Sequence, residues 1–322
     1  MLFVSIVHLP YNNGVISPHL HIYGAPNAML GLTANREERM TKAIRFPNDT
    51  RVPAIGQGTW YMGEDARMKA QEVTALQAGI DLGLTLIDTA EMYAEGRAED
   101  VVGEAIRGRR DSVYLVSKVY PHNAGGEKAI QACERSLKRL KTERIDLYLL
   151  HWRGGIPLVD TIAAMERLQQ AGKIGQWGVS NLDLEDMQEL WSLNGGQHCM
   201  TNQVLYHLAS RGIEFDLLPW CQQQQLPVMA YCPLAQAGRL REGLFSHPVV
   251  NRIAREHNIT PAQLLLAWVI RQPGVIAIPK ASSVKHVQEN AKALDVVLSE
   301  DDLGQLDQTF PPPTRKQHLD VV

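Results

Sequence analysis

From Thr41 onward, short apolar runs alternate with longer stretches whose apolar residues recur at helical spacing. Because each helix returns the chain to the same edge of the sheet, such alternation makes neighbouring strands run parallel. Eight units of this kind fit a closed (β/α)8 barrel of the TIM type, a single domain that takes about 250 residues. The predicted strands are Ala54–Gly58, Thr85–Asp88, Val113–Lys118, Asp146–His151, Gly175–Ser180, Met200–Val204, Val228–Tyr231 and Val275–Pro279.

Two further elements are predicted at the ends of this barrel. The stretch AIRFPNDTRVPAIGQG indicates a β-hairpin that turns at Asn48 and Asp49 and closes the bottom of the barrel. Glu300–Thr309 is an extra helix that follows the last unit. The other predicted helices are Lys69–Leu82, Ala98–Ile106, Lys128–Leu140, Val159–Ala171, Leu184–Leu193, Gly212–Gln223, Pro248–His257, Pro261–Arg271 and Ser283–Leu294.

The first 39 residues show neither helical nor strand periodicity and carry no secretory signal. We therefore expect residues 1–39 to form an unstructured extension, with Met40 as an alternative start, and residues 40–322 to form one barrel domain. An open doubly wound sheet is the competing fold. That fold usually carries a G-x-G-x-x-G loop, and the glycines of GQGTWYMG have a different spacing.

Composition limits the classes of partner. The net charge is −3 without blocks of one sign, which gives no reason to expect nucleic acid or an anionic membrane. Apolar runs stay well below the roughly 20 residues of a membrane helix. The four cysteines are scattered without metal-ligand spacing, so we expect no metal site and reduced thiols in a cytoplasmic protein. No heptad or exposed apolar stripe is evident, so we expect a monomer.

Three consecutive predicted strands end in a polar residue: Asp88, Lys118 and His151. Since the carboxyl ends of barrel strands form the functional rim, these side chains are expected to converge there, with Tyr93 on the loop after Asp88. Each residue also has a purely structural explanation, as a cap, a solvated cation, a core histidine or rim packing. The four together favour chemistry, because Asp88 and Lys118 make a lone ion pair beside two proton carriers.

The four groups suit protonation of an oxygen that becomes an alkoxide. We expect the Lys118 ammonium to lower the pKa of Tyr93, which then acts as general acid, while His151 orients the substrate oxygen. Reduction of a carbonyl creates such an oxygen if a hydride donor lies opposite. A Schiff-base aldolase would instead need an uncharged lysine, and the Asp88 partner argues against it.

Several motifs resemble aldo-keto reductases, in order, across residues 41–310. They are GLTLIDTAEMYAEGRAEDVVGEAI, VSK, LYLLHW, GVSNL, NQVLYH, AYCPLAQAG and IPKASSVKHVQEN. The resemblance extends to bacterial methylglyoxal and aldehyde reductases. It implies a barrel that binds NADPH, with NADH possible, and it implies that Asp88, Tyr93, Lys118 and His151 form the catalytic tetrad.

The resemblance also implies a set of cofactor contacts. Ser180, Asn181 and Gln203 would hold the nicotinamide carboxamide, and Tyr231 would stack on the ring. The other implied contacts are Leu234, Gln236 and Gly238 in a loop over 232–240 that wraps the pyrophosphate, Lys280 and Ser282 for the 2′-phosphate, and Glu289 and Asn290 for the adenosine end. His286 stands where many NADPH-selective members have arginine, which makes strict NADPH selectivity uncertain, because imidazole offers no bidentate fork to phosphate.

Trp60 and Trp152 are predicted to line the substrate mouth. The loop RGGIPLVD and the tail PPPTRKQHLDVV are short and carry little bulk, which favours an open pocket for small carbonyl substrates. The leading hypothesis is therefore NADPH-dependent reduction of small aldehydes and 2-oxoaldehydes such as methylglyoxal. The alternative is a non-catalytic NADPH-binding barrel that acts as a redox sensor or regulatory subunit, and the intact tetrad argues against it.

Overall fold

A computed structural model describes residues 42–235 and 239–322. Eight of its strands form one parallel sheet in chain order, β3 to β10. Backbone bridges between Ile55 and Ala277 and between Gly58 and Lys280 join the first of these strands to the last, so the sheet closes into the predicted (β/α)8 barrel. The strands are β3 Gln57–Gly58, β4 Leu86–Asp88, β5 Tyr114–Val119, β6 Ile145–Leu150, β7 Ile174–Ser180, β8 Asn202–Leu205, β9 Val228–Tyr231 and β10 Val275–Ala277.

Helices follow the strands and cover the outside of the barrel. Two of them begin with capping boxes, at Thr260 and at Ser299, where side chain and backbone satisfy each other's donors. The α-helices of the described residues are α1 Lys69–Asp81, α2 Arg97–Ala105, α3 Gly126–Leu140, α4 Leu158–Gln170, α5 Leu184–Ser192, α6 Leu217–Gln223, α7 Arg239–Ser246, α8 Pro248–Glu256, α9 Pro261–Val269, α10 Val284–Lys292 and α11 Glu300–Thr309.

The predicted hairpin consists of β1 Ala43–Arg45 and β2 Arg51–Pro53, paired antiparallel. Phe46 in its turn and Val52 are buried against the apolar side chains that point into the barrel. Alternate residues of a strand face the same side, so apolar residues two apart, such as Leu147 and Leu149, both point into this interior. The inward-facing apolar residues are Leu86, Val116, Leu147, Leu149, Met200, Met229, Ile276 and Ile278. The hairpin thus closes the bottom of the barrel.

Two segments differ from the predicted elements. The stretch predicted as one helix over 212–223 is a 3-10 turn at Gly212–Glu214 followed by α6, because the Asp216 side chain accepts from Leu217 N–H at 2.7 Å and starts a new helix. The predicted phosphate loop over 232–240 overlaps α7, which begins at Arg239. Every helix within the described ranges is too short or too polar to span a lipid bilayer.

Gly58 closes the barrel because its backbone lies against the extension of β10. Its N–H donates to the Pro279 carbonyl at 3.0 Å, and a β-carbon at this position would lie 2.6 Å from the Ile278 carbonyl oxygen. No real β-carbon tolerates such an approach to backbone. The residue at this seam must therefore be glycine if the two strands are to keep their register.

We expect Gly58→Ala to lower the free energy of unfolding by about 1–3 kcal/mol, the usual effect of overpacking. Gly304→Ala is the matched control, because Gly304 lies inside α11 with open space around it. That change should raise stability by about 0.5–1 kcal/mol. Urea unfolding of both variants tests the expectation, and equal effects would contradict the close approach at the seam.

Candidate active site

The inward-facing positions of three neighbouring strands change from apolar to polar at their carboxyl ends. Leu86 is followed two residues later by Asp88, Val116 by Lys118 and Leu149 by His151. Because a strand repeats every two residues, each polar side chain continues the same interior column. The three groups therefore meet at the top of the core, as the sequence predicted, and all three are buried.

Lys118 is fully buried and all three of its N–H donors are used. Its Nζ donates to Asp88 Oδ2 at 2.8 Å, to the Thr89 carbonyl at 3.0 Å and to Tyr93 Oη at 2.9 Å. The second carboxylate oxygen of Asp88 accepts from Gln203 Nε2 at 2.8 Å. A buried charge is costly unless it is paired and hydrogen-bonded, and this arrangement satisfies both requirements for Asp88 and Lys118.

The loop that carries Tyr93 is fastened to the strand and loop beside it. Glu91 N–H donates to the Lys118 carbonyl at 3.3 Å, and the Glu91 carboxylate accepts from Tyr120 N–H at 2.8 Å. Ala94 and Glu95 then adopt positive φ angles of 48° and 57°. This strained turn, held by Glu91 at its beginning, fixes the phenol over the ammonium group.

Burial raises the pKa of the Tyr93 hydroxyl well above its usual range, and the negative charge of Asp88 adds to the rise. The expectation of a lowered pKa for Tyr93 is therefore wrong, because the net shift is upward. Burial destabilises the phenolate form of Tyr93 more than the Lys118 ammonium stabilises it, because Asp88 already balances the lysine charge. Tyr93 consequently keeps its proton, and because its oxygen accepts from Lys118, that proton can be donated into the cleft.

His151 is a neutral imidazole in this site. Burial, together with the positive charge of Lys118, lowers the pKa of His151 from 6.5 to about 2. Its ring meets the Tyr93 ring edge-on with centroids 5.8 Å apart. Its Nδ1 is buried without a hydrogen-bond partner among the described residues. An uncharged ring beside the proton donor can orient a bound oxygen without competing for the proton.

Four of the predicted cofactor residues form one hydrogen-bonded group. Tyr231 Oη donates to Asn181 Oδ1 at 2.9 Å, Asn181 Nδ2 donates to the His151 carbonyl at 3.1 Å, and Ser180 Oγ donates to the Gln203 carbonyl at 2.8 Å. Asn181 has a positive φ of 59°, which asparagine tolerates better than most residues. These contacts fix side chains with amide and hydroxyl groups along one wall of a cleft.

That cleft has a volume of about 340 Å³ and opens above Tyr93. Among its lining residues are the predicted Trp60, Trp152, Leu234 and Lys280. Sequence reasoning did not single out the other lining residues, although seven of the ten directly follow or precede a predicted site residue, as Tyr61 follows Trp60 and Met92 precedes Tyr93. The missed residues are Gly58, Thr59, Tyr61, Met92, Cys232, Pro233, Ala235, Ile278, Pro279 and Val322.

The remaining predicted cofactor residues lie at and beyond Lys280. Ser282 precedes α10, and its Oγ is buried without a partner among the described residues. His286, Glu289 and Asn290 lie on α10, where residues three and four apart share a face. Gln236 and Gly238 lie outside the described residues. A buried, unpartnered hydroxyl next to a lysine and a helix N-terminus suits a phosphate group.

The carboxyl-terminal tail covers more of the site than its sequence predicted. Lys316 lies 3.1 Å from Glu185 and 3.6 Å from Asp183, and Leu319 packs against the main core. Val322 then lines the cleft. The expectation of a tail with little influence on the pocket is wrong, because ion pairs and one partly buried leucine hold it along the rim.

The site combines a buried tyrosine hydroxyl, a paired lysine, a neutral histidine and an amide-lined cleft at the carboxyl end of a (β/α)8 barrel. This combination suits the class of enzymes that reduce carbonyl groups. A sequence model described as "Aldo/keto reductase family" matches residues 54–310. The chain belongs to the aldo/keto reductase family.

Two reductases and one crystal structure are similar to this chain over most of its length. The chain is 66% identical to methylglyoxal reductase YeaE of Escherichia coli over 281 residues, 87% of this chain and 99% of the relative. It is 33% identical to a glyoxal reductase of Bacillus subtilis, over 82% of this chain and 91% of that protein. A crystal structure of an aldo/keto reductase from Klebsiella pneumoniae in complex with NADP and acetate superposes with a TM-score of 0.86 at 66% identity, covering 87% and 99% of the two chains.

The low pKa of His151 predicts a pH-dependent component of stability. In the unfolded chain the imidazole takes up a proton below about pH 6.5, whereas the folded protein excludes it until about pH 2. The unfolded state therefore binds more protons as pH falls through this window, and stability present above pH 6.5 is lost. From pH 7 to pH 5 this component amounts to about 2 kcal/mol.

Urea unfolding of the wild type and of His151→Gln at pH 7 and pH 5 measures that component. Glutamine has no titrating group, so the loss of stability on acidification should be about 2 kcal/mol smaller in the variant. An equal loss in both proteins would show that His151 is already protonated in the folded state.

Proposed function

We propose that this protein reduces small aldehydes and 2-oxoaldehydes, methylglyoxal among them, to alcohols with NADPH as reductant. The observation that carries the proposal is the buried Lys118 ammonium shared by Asp88 and Tyr93, with a free phenol proton facing the cleft. The relatives named methylglyoxal reductase and glyoxal reductase support the substrate class. An enzyme is favoured over a redox sensor because all four residues of the proposed tetrad are present.

The residues of the cleft fit a nicotinamide cofactor. Ser180, Asn181 and Gln203 offer donors and acceptors for a carboxamide, and Tyr231 offers a flat ring for stacking. Bound NADPH supplies the hydride for the carbonyl carbon. The remaining proposed contacts are Leu234, Gln236 and Gly238 for the pyrophosphate, Lys280, Ser282 and His286 for the 2′-phosphate, and Glu289 and Asn290 for the adenosine end.

The chain's own residues then complete the reduction. His151 and Tyr93 hydrogen-bond the carbonyl oxygen and polarise it. Negative charge develops on that oxygen as the carbon is reduced, and Tyr93 transfers its proton to it, which leaves an alcohol and a phenolate. Lys118 already donates to the phenol oxygen, so the phenolate forms beside a preorganised positive charge. Solvent returns the proton to Tyr93.

Replacing Tyr93 with phenylalanine should lower kcat for methylglyoxal reduction by about 10²–10⁴-fold, the usual contribution of a general acid. The ring remains, so NADPH should still quench protein fluorescence with a similar Kd. Tyr120→Phe is the matched control, since Tyr120 is a half-buried tyrosine on the neighbouring loop. NADPH oxidation at 340 nm checks both.

The outcomes of this assay separate the two hypotheses. Loss of turnover with intact NADPH binding in Tyr93→Phe, and normal turnover in Tyr120→Phe, supports the proton-donor role. A wild-type protein that binds NADPH and reduces no aldehyde in a panel would favour the sensor. Full activity in Tyr93→Phe would remove Tyr93 from the mechanism.

Cofactor preference is tested at Lys280 and His286. Lys280→Met should raise Kd for NADPH about tenfold and leave Kd for NADH unchanged, because the 2′-phosphate is the group that distinguishes the two cofactors. His286→Arg should tighten NADPH binding alone, by about threefold to tenfold, through a bidentate contact. Fluorescence titration measures both ratios, and parallel changes for NADPH and NADH would place these residues away from the 2′-phosphate.

We further infer a cytoplasmic monomer. All four cysteines are free thiols, and three of them are buried, which suits a reducing compartment. In the described residues, half of the exposed large hydrophobic side chains line the cleft, and Val159, Phe215 and Val297 are separate from it. Scattered apolar residues of this kind favour no subunit interface.

A further inference from the structure

A buried ion pair lies outside the barrel wall, between α2 and α3. The Glu99 side chain of α2 is fully buried, and one of its carboxylate oxygens accepts from Arg139 Nε of α3 at 2.6 Å. Its other oxygen accepts from Ser117 Oγ of β5 at 2.7 Å. Both oxygens are therefore satisfied, as a carboxylate removed from water requires. One side chain thus joins two helices to a strand of the barrel.

The strand partner of Glu99 is the neighbour of the buried lysine in the chain. In β5, Val116 and Lys118 face the interior of the barrel, so Ser117 between them faces the surrounding helices. The hydrogen bond from Ser117 to Glu99 therefore holds the strand at the residue before Lys118. Burial lowers the pKa of Lys118, and the negative charges of Asp88 and Glu99 oppose that fall. Glu99 thus acts on the lysine through the strand and through its charge.

The helix partner of Glu99 lies beneath the turn that carries Tyr93. The three residues after Tyr93 have positive φ angles of 48°, 57° and 89°, and the third of them is Gly96. A β-carbon at Gly96 would lie 2.5 Å from Arg139 Nε, so the backbone of the turn lies directly against the guanidinium group. A strained turn keeps its conformation only where its surroundings hold it. Here the surroundings are Arg139, and Glu99 holds Arg139 in place.

We propose that Glu99, acting through Arg139 and Ser117, is a positioning residue for the proton donor. Its carboxylate holds the guanidinium group beneath the turn after Tyr93 and, through Ser117, holds the strand that carries Lys118. The two contacts together fix the 2.9 Å hydrogen bond from Lys118 Nζ to Tyr93 Oη. Glu99 lies outside the lining of the cleft, so it meets neither substrate nor cofactor. The proposal rests on the proposed reductase function, for which this hydrogen bond places the proton donor.

The first test is Glu99→Gln, which keeps the size of the side chain and removes its charge. The kcat for methylglyoxal reduction should fall by about 10–100-fold, because a reacting group displaced by a fraction of an ångström to one ångström loses its alignment. The KM for methylglyoxal and the Kd for NADPH should stay unchanged, since Glu99 contacts neither. Ser117→Ala leaves the ion pair with Arg139 in place and should lower kcat by a smaller factor. It keeps the proposal testable if Glu99→Gln does not fold.

Glu214→Gln is the matched control. The Glu214 side chain is 9% exposed and its carboxylate pairs with Arg211 at 2.7 Å and with Arg271 at 3.1 Å. Glu214 follows β8, four strands from β4 in the eight-stranded barrel and thus on its opposite side. Its replacement should destabilise the fold in a similar way and leave kcat unchanged. Equal losses of kcat in Glu99→Gln and Glu214→Gln would reduce the effect to stability alone and overturn the proposal.

A double-mutant cycle with Tyr93→Phe shows whether Glu99 acts through the proton donor. In the Tyr93→Phe background, with residual turnover measured at high enzyme concentration, Glu99→Gln should have little further effect on kcat. The group that Glu99 positions is already absent there, so the two losses should not add. The same fold-loss in both backgrounds would show that Glu99 acts independently of Tyr93 and would overturn the proposal.

Crystal structures of the variants test the positioning independently of turnover. In Glu99→Gln the distance from Lys118 Nζ to Tyr93 Oη should lengthen from 2.9 Å to about 3.5 Å or more, beyond hydrogen-bond reach. It should stay unchanged in Glu214→Gln. If the wild type reduces no aldehyde but this contact breaks in Glu99→Gln, the reductase proposal fails while the positioning stands. If aldehydes are reduced and the contact is intact in Glu99→Gln, the positioning proposal fails while the reductase proposal stands.

Discussion

At the carboxyl end of the barrel, one buried ammonium group donates to three acceptors, and the positions of the neighbouring groups follow from it. Lys118 has no access to solvent, so its charge requires Asp88 at 2.8 Å, and the carboxylate in turn requires Gln203 for its other oxygen. The third donor reaches Tyr93. Because removing one member would leave a buried charge unpaired, the stability of the core and the position of the Tyr93 hydroxyl depend on the same contacts.

The barrel separates these charges from the apolar interior by position along each strand. Its lower interior is filled by side chains such as Leu86 and Val116 and is closed by Phe46 of the hairpin, so water has no route to the charges from below. The upper interior opens into the cleft. The apolar interior beneath Lys118 lowers the local dielectric constant, which would strengthen the interaction of its ammonium group with a phenolate on Tyr93. In water the same two charges would interact only weakly.

Strand and helix positions followed from the sequence because the apolar period changes from two to about 3.6 at each boundary. The meeting of Asp88, Lys118 and His151 followed because polar residues end three consecutive strands. Sequence could not give the direction of the Tyr93 pKa shift, since that shift depends on burial in the folded protein and on charged or ionisable groups as distant in the chain as Cys232. Nor could it place Val322 in the cleft, because the ion pairs of Lys316 depend on folded geometry. Sequence also could not give the hydrogen bond from Gln203 to Asp88, because the two residues are 115 positions apart in the chain.

Several residues with strained backbone angles lie around the cleft. Tyr61, Ala94, Asn181, Cys232 and Ala235 have positive φ angles and line the cleft or adjoin it. Each such residue costs about 1–3 kcal/mol, which is a large share of the stability of an ordinary domain. A closed sheet with a filled interior tolerates this cost, because its hydrogen bonds and core lie below the strained loops and do not change with them. The loops can therefore carry strained turns, while the strand ends beneath them keep Asp88, Lys118 and His151 in place.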